Sequence, residues 1–190
     1  GKTTVFNLIT GVYPVDSGSI SLEGRDITAL PSRHRIRHGL ARTFQNIRLM
    51  PHLSVLETVM ITQNARAPGL AAMLQPVGLG RANRWRGEAR SALAEAGLES
   101  YANDAAGALP YGVQKRIELV RALLAAPRVL LLDEPAAGLN PAETEALHQA
   151  LQAVAARGVT LVVVEHDMHF VGRLCPRVVV LNFGQKIAEC

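Results

Sequence analysis

Cysteine is scarce. Cys175 and Cys190 are the two in 190 residues, which excludes a disulfide framework and fits a reducing compartment. Long apolar runs are also missing. Val159 to Val164, among the longest, has Thr160 inside it. A bilayer-spanning helix needs about 20 apolar residues, so none is expected. No repeats, heptads or low-complexity tracts are present, which argues against solenoids and long coiled coils. The start shows neither an initiator Met nor a signal-peptide pattern. It opens on Gly1-Lys2-Thr3-Thr4, in the middle of a motif, so the N-terminus is expected to be incomplete, and the C-terminus likewise.

Acids are rare in one half of the chain. Between Asp26 and Glu88 there is a single acid, Glu57, against nine arginines (33, 35, 37, 42, 48, 66, 81, 84 and 86). Twelve acids follow from Glu88 onward. A basic half suits nucleic acid, anionic lipid headgroups, an acidic partner or simply a solvated face. Single-stranded nucleic acid would call for interleaved aromatics. Only Phe44 and Trp85 lie in that stretch, so no nucleic-acid partner is expected.

What remains is a globular composition. Hydrophobic residues are 48%, charged residues 19%, and the net charge is +4, enough apolar content for the core of one domain and too much for a disordered chain. Short apolar runs alternate with helical ones, the pattern of an α/β layered fold. Helices are expected over Lys2–Thr10, stopped by Gly11, and over Ser32–His38, closed by Gly39. A capping box at Ser54 and Glu57 should open a helix reaching about Ala65. Further helices are expected over Arg84–Ala96, Tyr111–Ala125 and from Asn140 to about Ala156. Asn140, Pro141 and Glu143 supply the last one's N-cap, first-turn proline and N3 acid. Strands are expected over Ser17–Gly24, Leu40–Phe44, Val129–Leu132, Thr160–Val164 and Val178–Leu181. Pro68 to Gly80 reads as an irregular excursion. The helical stretch from about Ser54 to Ala108 interrupts the alternation like a subdomain inserted between strands.

Several short motifs carry chemistry. Gly1-Lys2-Thr3-Thr4 matches the end of Gly-x-x-x-x-Gly-Lys-[Ser/Thr], a phosphate-binding loop. Lys2 can reach β- and γ-phosphates, Thr3 can hold Mg²⁺ through its hydroxyl, and the helix start offers N–H groups and positive dipole. Four residues recur by chance, so a second element matters. Val129-Leu130-Leu131-Leu132-Asp133-Glu134-Pro135 is an apolar strand ending in two acids. That places Asp133 at the sheet's C-terminal edge, where open α/β sheets bind ligands. Asp133 suits Mg²⁺ held through water, and Glu134 suits the attacking water. Leu109-Pro110-Tyr111-Gly112-Val113-Gln114 opens a helix just upstream. Gln45 directly follows a strand, and His166 stands just past another within Val164-Glu165-His166-Asp167.

In this order the motifs are similar to those of the nucleotide-binding subunit of ABC transporters: phosphate loop, glutamine loop, signature helix, Walker B strand, D-loop, switch histidine. The resemblance spans essentially the whole chain. It implies a P-loop NTPase core with an inserted helical subdomain, which with the signature helix covers about residues 54–125 of one ATPase domain over 1–190. It implies ATP and Mg²⁺ as cofactors. Glu134, His166 and Gln45 would be catalytic, and Thr3, Gln45 and Asp133 would serve the metal. Gly1, Lys2, Thr3 and Thr4 would bind nucleotide in this chain. Tyr111, Gly112, Val113 and Asn140 would face nucleotide held by a second ATPase subunit. Transmembrane permease subunits are the implied membrane partner, with the protein peripheral on the cytoplasmic face of an inner membrane. The stretches Ala41 to Met50, Ser54 to Val59 and Leu132 to Pro141, with Tyr111 in the signature, resemble the ATPase of branched-chain amino-acid importers. Importers of amides or urea look much the same.

The chain departs from the family pattern in two places. The signature's serine position holds Pro110, which has neither a hydroxyl nor an N–H, and its glutamine position holds Val113. The D-loop ends in Asn140 where Asp is usual. A soluble ABC ATPase acting on DNA or ribosomes and a degenerate nucleotide-binding module are the alternatives. The lack of heptads between Gln45 and the signature opposes the first, and intact Lys2, Asp133, Glu134 and His166 oppose the second.

Overall fold

A computed structural model describes residues 1–43, 47, 49–66 and 79–190. In chain order the α-helices are α1 (Lys2–Ile9), α2 (Ser32–Arg35), α3 (Val55–Met60), α4 (Leu79–Glu95), α5 (Tyr111–Leu123), α6 (Pro141–Ala156) and α7 (Met168–Leu174). The strands are β1 (Ser21–Leu22), β2 (Arg25–Asp26), β3 (Leu40–Arg42), β4 (Val129–Asp133), β5 (Thr160–Val164), β6 (Val179–Asn182) and β7 (Gln185–Glu189). The central sheet is parallel, in the order β3-β4-β5. Parallel strands need helical crossovers that cover their faces. Leu130, Leu131 and Leu132 of β4 are accordingly almost wholly buried.

Local signals place most of these elements. Ser54 accepts from the Glu57 amide while Glu57 accepts from the Ser54 amide, the reciprocal cap expected there. Asn140 and Glu143 do the same at α6, with Pro141 in the first turn. Gly11, Gly39 and Gly97 all have positive φ just beyond helical ends. Two expectations need correcting. Ser17–Gly24 forms only a two-residue strand, because Glu23 and Gly24, both at positive φ, turn the chain straight back into β2. The α-helix from Ser54 tightens after Met60 into a 3₁₀ stretch over Ile61–Arg66. The strand expected over Val178–Leu181 forms at Val179–Asn182, turns at Phe183-Gly184 and pairs antiparallel with β7. Two smaller differences are that β3 stops at Arg42 and that α4 begins at Leu79, five residues before Arg84. Phe44 and the excursion as far as residue 78 lie outside the described residues.

The helical region between β3 and β4 has its own core. Val55 and Val59 of α3, Leu93 of α4 and Ile117 of α5 are fully buried together with Leu98. A second core joins Leu130 and Leu132 to Leu147 and Leu151 of α6 and to Phe170 of α7. The basic half does not form one solvated face. Arg35 is 3% exposed and donates to the carbonyls of Leu8, Ile9, Thr28 and Leu30, closing α1 against the loop before α2. The Arg42 side chain is 7% exposed.

On the outer side, α6 and α7 are clasped by Arg173, which donates to both oxygens of Glu145 at 2.7 and 3.0 Å. That hydrogen bonding holds the Glu145 carboxyl at about 2, below the ordinary value of roughly 4.3. A lowered folded-state value stabilises above the unfolded value and is lost as pH falls toward the folded one. Glu145→Gln should therefore flatten the acid loss of stability between about pH 4.5 and 2, read by urea unfolding. The pair is exposed and screened by salt, so the effect should shrink in high salt. Identical pH profiles for wild type and Glu145→Gln would show that the clasp adds nothing.

Candidate nucleotide-binding site

Gly1 is the N-cap of α1, and Lys2, Thr3 and Thr4 form its exposed first turn. No acidic residue lies in that turn, and the Thr4 hydroxyl accepts from the Gly1 nitrogen at 3.2 Å; the positive end of a helix dipole suits an anion. Burial of Phe6 under the sheet fixes the helix axis.

Asp133 is the last residue of β4, level with Val164 at the end of β5. Glu134 follows in a left-handed conformation, φ +47°, with its N–H bonded to the Val164 carbonyl at 2.8 Å. Such backbone is uncommon for a residue with a Cβ and concentrates at functional sites. It turns the Glu134 side chain out of the strand's alternation. Beyond β5, His166 is exposed. The parallel register thus brings Asp133, Glu134 and His166 to one sheet edge.

Two residues that the motif reading passed over organise this edge. The Glu165 side chain is 1% exposed. One of its oxygens accepts from the Ala136 amide at 2.9 Å and the other from the His166 amide at 3.1 Å. It ties the loop after Glu134 to the loop carrying His166. The signal was an acid directly before that histidine, but its burial is not legible locally. Arg42 is the second. Its Nη2 donates to Asp133 Oδ2 at 2.7 Å and its Nη1 to Asn7 Oδ1 of α1 at 2.6 Å.

Tyr111, Gly112, Val113 and Asn140 gather where α5 meets the loop before α6. Tyr111, Gly112 and Val113 form the first turn of α5, with Pro110 as an N-cap that makes no side-chain bond. A Cβ on Gly112 would collide with the Glu143 carboxylate, and Tyr111 lies against Gly138. The signature start and the D-loop are therefore one continuous surface of this chain. The Asn140 side chain is occupied as the N-cap of α6. Gln45 lies outside the described residues.

The donors fit Mg²⁺. Thr3 offers a hydroxyl and Asp133 a carboxylate, hard oxygens of the kind this ion takes alongside phosphate and water. Arg42 engages Oδ2 of Asp133, while Oδ1 makes no hydrogen bond among the described residues. Among the described residues, no group of three or more His, Cys, Asp or Glu is placed to hold a metal ion by itself.

The family model for ABC transporters matches residues 1–137. The chain belongs to that family and is an ATP-binding, ATP-hydrolysing cassette of the P-loop type. The high-affinity branched-chain amino acid transport ATP-binding protein BraF of Pseudomonas aeruginosa is 39% identical over 100% of this chain and 76% of its own length. A nucleotide-free ATP-binding cassette from an ABC transporter superposes with TM-score 0.86 at 28% identity, covering 100% of this chain and 75% of that one. A dimeric cassette in a post-hydrolysis state with ADP and Pi superposes with TM-score 0.82 at 26% identity, covering 100% and 79%. Among the described residues no helix is long and apolar enough to cross a membrane.

Proposed function

We propose that the protein is the ATPase subunit of an importer of branched-chain amino acids or related amides. Two such domains would sandwich ATP and drive permease subunits from the cytoplasmic face of an inner membrane. The observation that carries this reading is the 39% identity to BraF across the whole chain, joined to a sheet edge that holds the acids and histidine the chemistry needs. The likeness to a dimeric cassette supports pairing with a second ATPase subunit.

In this reading Lys2 and the first turn of α1 hold the β- and γ-phosphates. Thr3 and Asp133 hold Mg²⁺, with Gln45 linking that site to the membrane partner. When bound there, Mg²⁺ would supply positive charge against the charge that develops on the phosphates. Glu134 orients the attacking water and takes its proton, and His166 contacts the γ-phosphate. Catalysis is then mostly positioning and electrostatics. Tyr111, Gly112, Val113 and Asn140 present their surface to the nucleotide of the other subunit, and residues 54–125 act as the helical subdomain that carries it.

The test is transport. The protein, co-expressed with the permease and binding-protein subunits of a branched-chain amino-acid importer, should support ATP-dependent uptake of labelled leucine, isoleucine or valine. Uptake of amides or urea alone would correct the solute. No ATP-dependent uptake of any of these would remove the importer reading.

A further inference from the structure

Arg42 stands ninety-one residues from Asp133 in sequence, yet the two side chains form a buried ion pair at 2.7 Å, 7% and 4% exposed. The same guanidinium reaches back into α1. It donates to Asn7 Oδ1 at 2.6 Å, approaches Thr10 Oγ1 at 3.5 Å and lies over the Phe6 ring at 5.4 Å. Arg42 therefore bridges the helix whose first turn presents Lys2 and Thr3 and the strand end that presents Asp133. Among the described residues these carry the oxygen donors assigned to Mg²⁺, Thr3 and Asp133.

We propose that Arg42 is a positioning residue for the metal. It holds Asp133 by Oδ2, turns Oδ1 toward the nucleotide, and fixes the distance between Asp133 and α1. Its planar fork suits the task, because it can satisfy a carboxylate and an amide oxygen at once, whereas a lysine is a single point donor.

The sign of the effect separates positioning from charge. Removing a positive charge beside Asp133 would by itself tighten Mg²⁺, since one fewer cation competes for the carboxylate. Losing the positioning would weaken it. The inference rests on the Mg-ATP reading of the site, and the experiment keeps the two apart. Protein from the full reading frame is titrated with a fluorescent ATP analogue, once in EDTA and once in Mg²⁺, and the ratio of the two dissociation constants is the readout. Thermal unfolding without nucleotide is followed alongside.

In wild type, Mg²⁺ should tighten the analogue. In Arg42→Gln and Arg42→Lys alike that gain should fall by roughly 10-fold, the scale of one hydrogen bond to a charged group, while affinity in EDTA stays near wild type. In an Asp133→Asn background, Arg42→Gln should lower the gain no further, because both changes act through one carboxylate. Where Arg42→Gln does not fold, Asn7→Ala carries the test. It frees one arm of the guanidinium and should lower the Mg²⁺ gain in the same direction by a smaller factor. A gain that is unchanged or larger in the folded variants, whatever happens to their melting temperature, overturns the proposal. A wild type with no Mg²⁺-dependent gain overturns the metal reading and the proposal with it.

Discussion

Glu134→Gln is expected to leave ATP binding intact and to cut turnover by about 10²- to 10⁴-fold, the usual contribution of a positioned general base. Glu134 directly follows Asp133 at the strand end, its backbone forced to φ +47° and pinned by the Val164 carbonyl. Gln keeps the length and the left-handed propensity problem unchanged, so the fold should survive and melting should barely move. It cannot take a proton from water. In the proposed pair of cassettes, closed by ATP and opened by hydrolysis, the variant should accumulate as an ATP-bound dimer, visible by size-exclusion chromatography. Turnover within a few-fold of wild type would take Glu134 out of the catalytic role and pass the water to another residue.

Pro110→Ser is expected to raise turnover or tighten the ATP-bound dimer, and only at the site that α5 completes in the partner. The structure places Pro110 as the N-cap of α5, φ −54° and ψ 148°, with no side-chain bond to the first turn. A serine hydroxyl there has two competing uses. Aimed across the interface at a γ-phosphate, it adds a hydrogen bond to a charged group. That is roughly 1.5–3 kcal/mol, or about 10- to 150-fold in an equilibrium or rate. Turned inward, it caps α5 and adds roughly 0.5–2 kcal/mol of stability without touching nucleotide. Trapping nucleotide separately in the two sites, together with melting curves, distinguishes them. A rise in melting temperature with equal occupancy of both sites would mean that the hydroxyl serves the helix and that backbone amides of Gly112 and Val113 already suffice for the phosphate. If the chain pairs with a different ATPase, the site facing Pro110 should be the slower of the two.

The departure at Pro110 also bears on the reading of a degenerate module. Its effect is confined to the surface shared by Tyr111, Gly138 and the start of α6. Lys2 stands on α1, Asp133 and Glu134 at the end of β4, and His166 just beyond β5. In the proposed reading, a weaker partner-facing surface leaves the residues of the chain's own site in place.

Wherever the information is local, the sequence by itself determined the outcome. The apolar run Val129 to Leu132 can be satisfied only inside a sheet covered on both faces, and it became the central strand. Ser54 with Glu57 and Asn140 with Glu143 close hydrogen-bond rings three residues long, so their helix starts were legible without tertiary structure. The order of the phosphate loop, the strand ending in Asp133 and Glu134, and His166 was legible for the same reason, since each motif is a short element whose end carries the chemistry. Tertiary structure alone decided the rest. In sequence Arg42 is one of nine arginines in a basic half, indistinguishable from a solvated one, and only the parallel pairing of β3 with β4 lays it beside Asp133. Glu165 looks like any acid at a strand end until the fold buries it against the Ala136 amide. Val179–Asn182 has the apolar content of a parallel strand, yet it pairs antiparallel with Gln185–Glu189. Propensity states that a segment is extended and leaves its partner open, because that choice rests on hydrogen bonds and burial shared between distant parts of the chain.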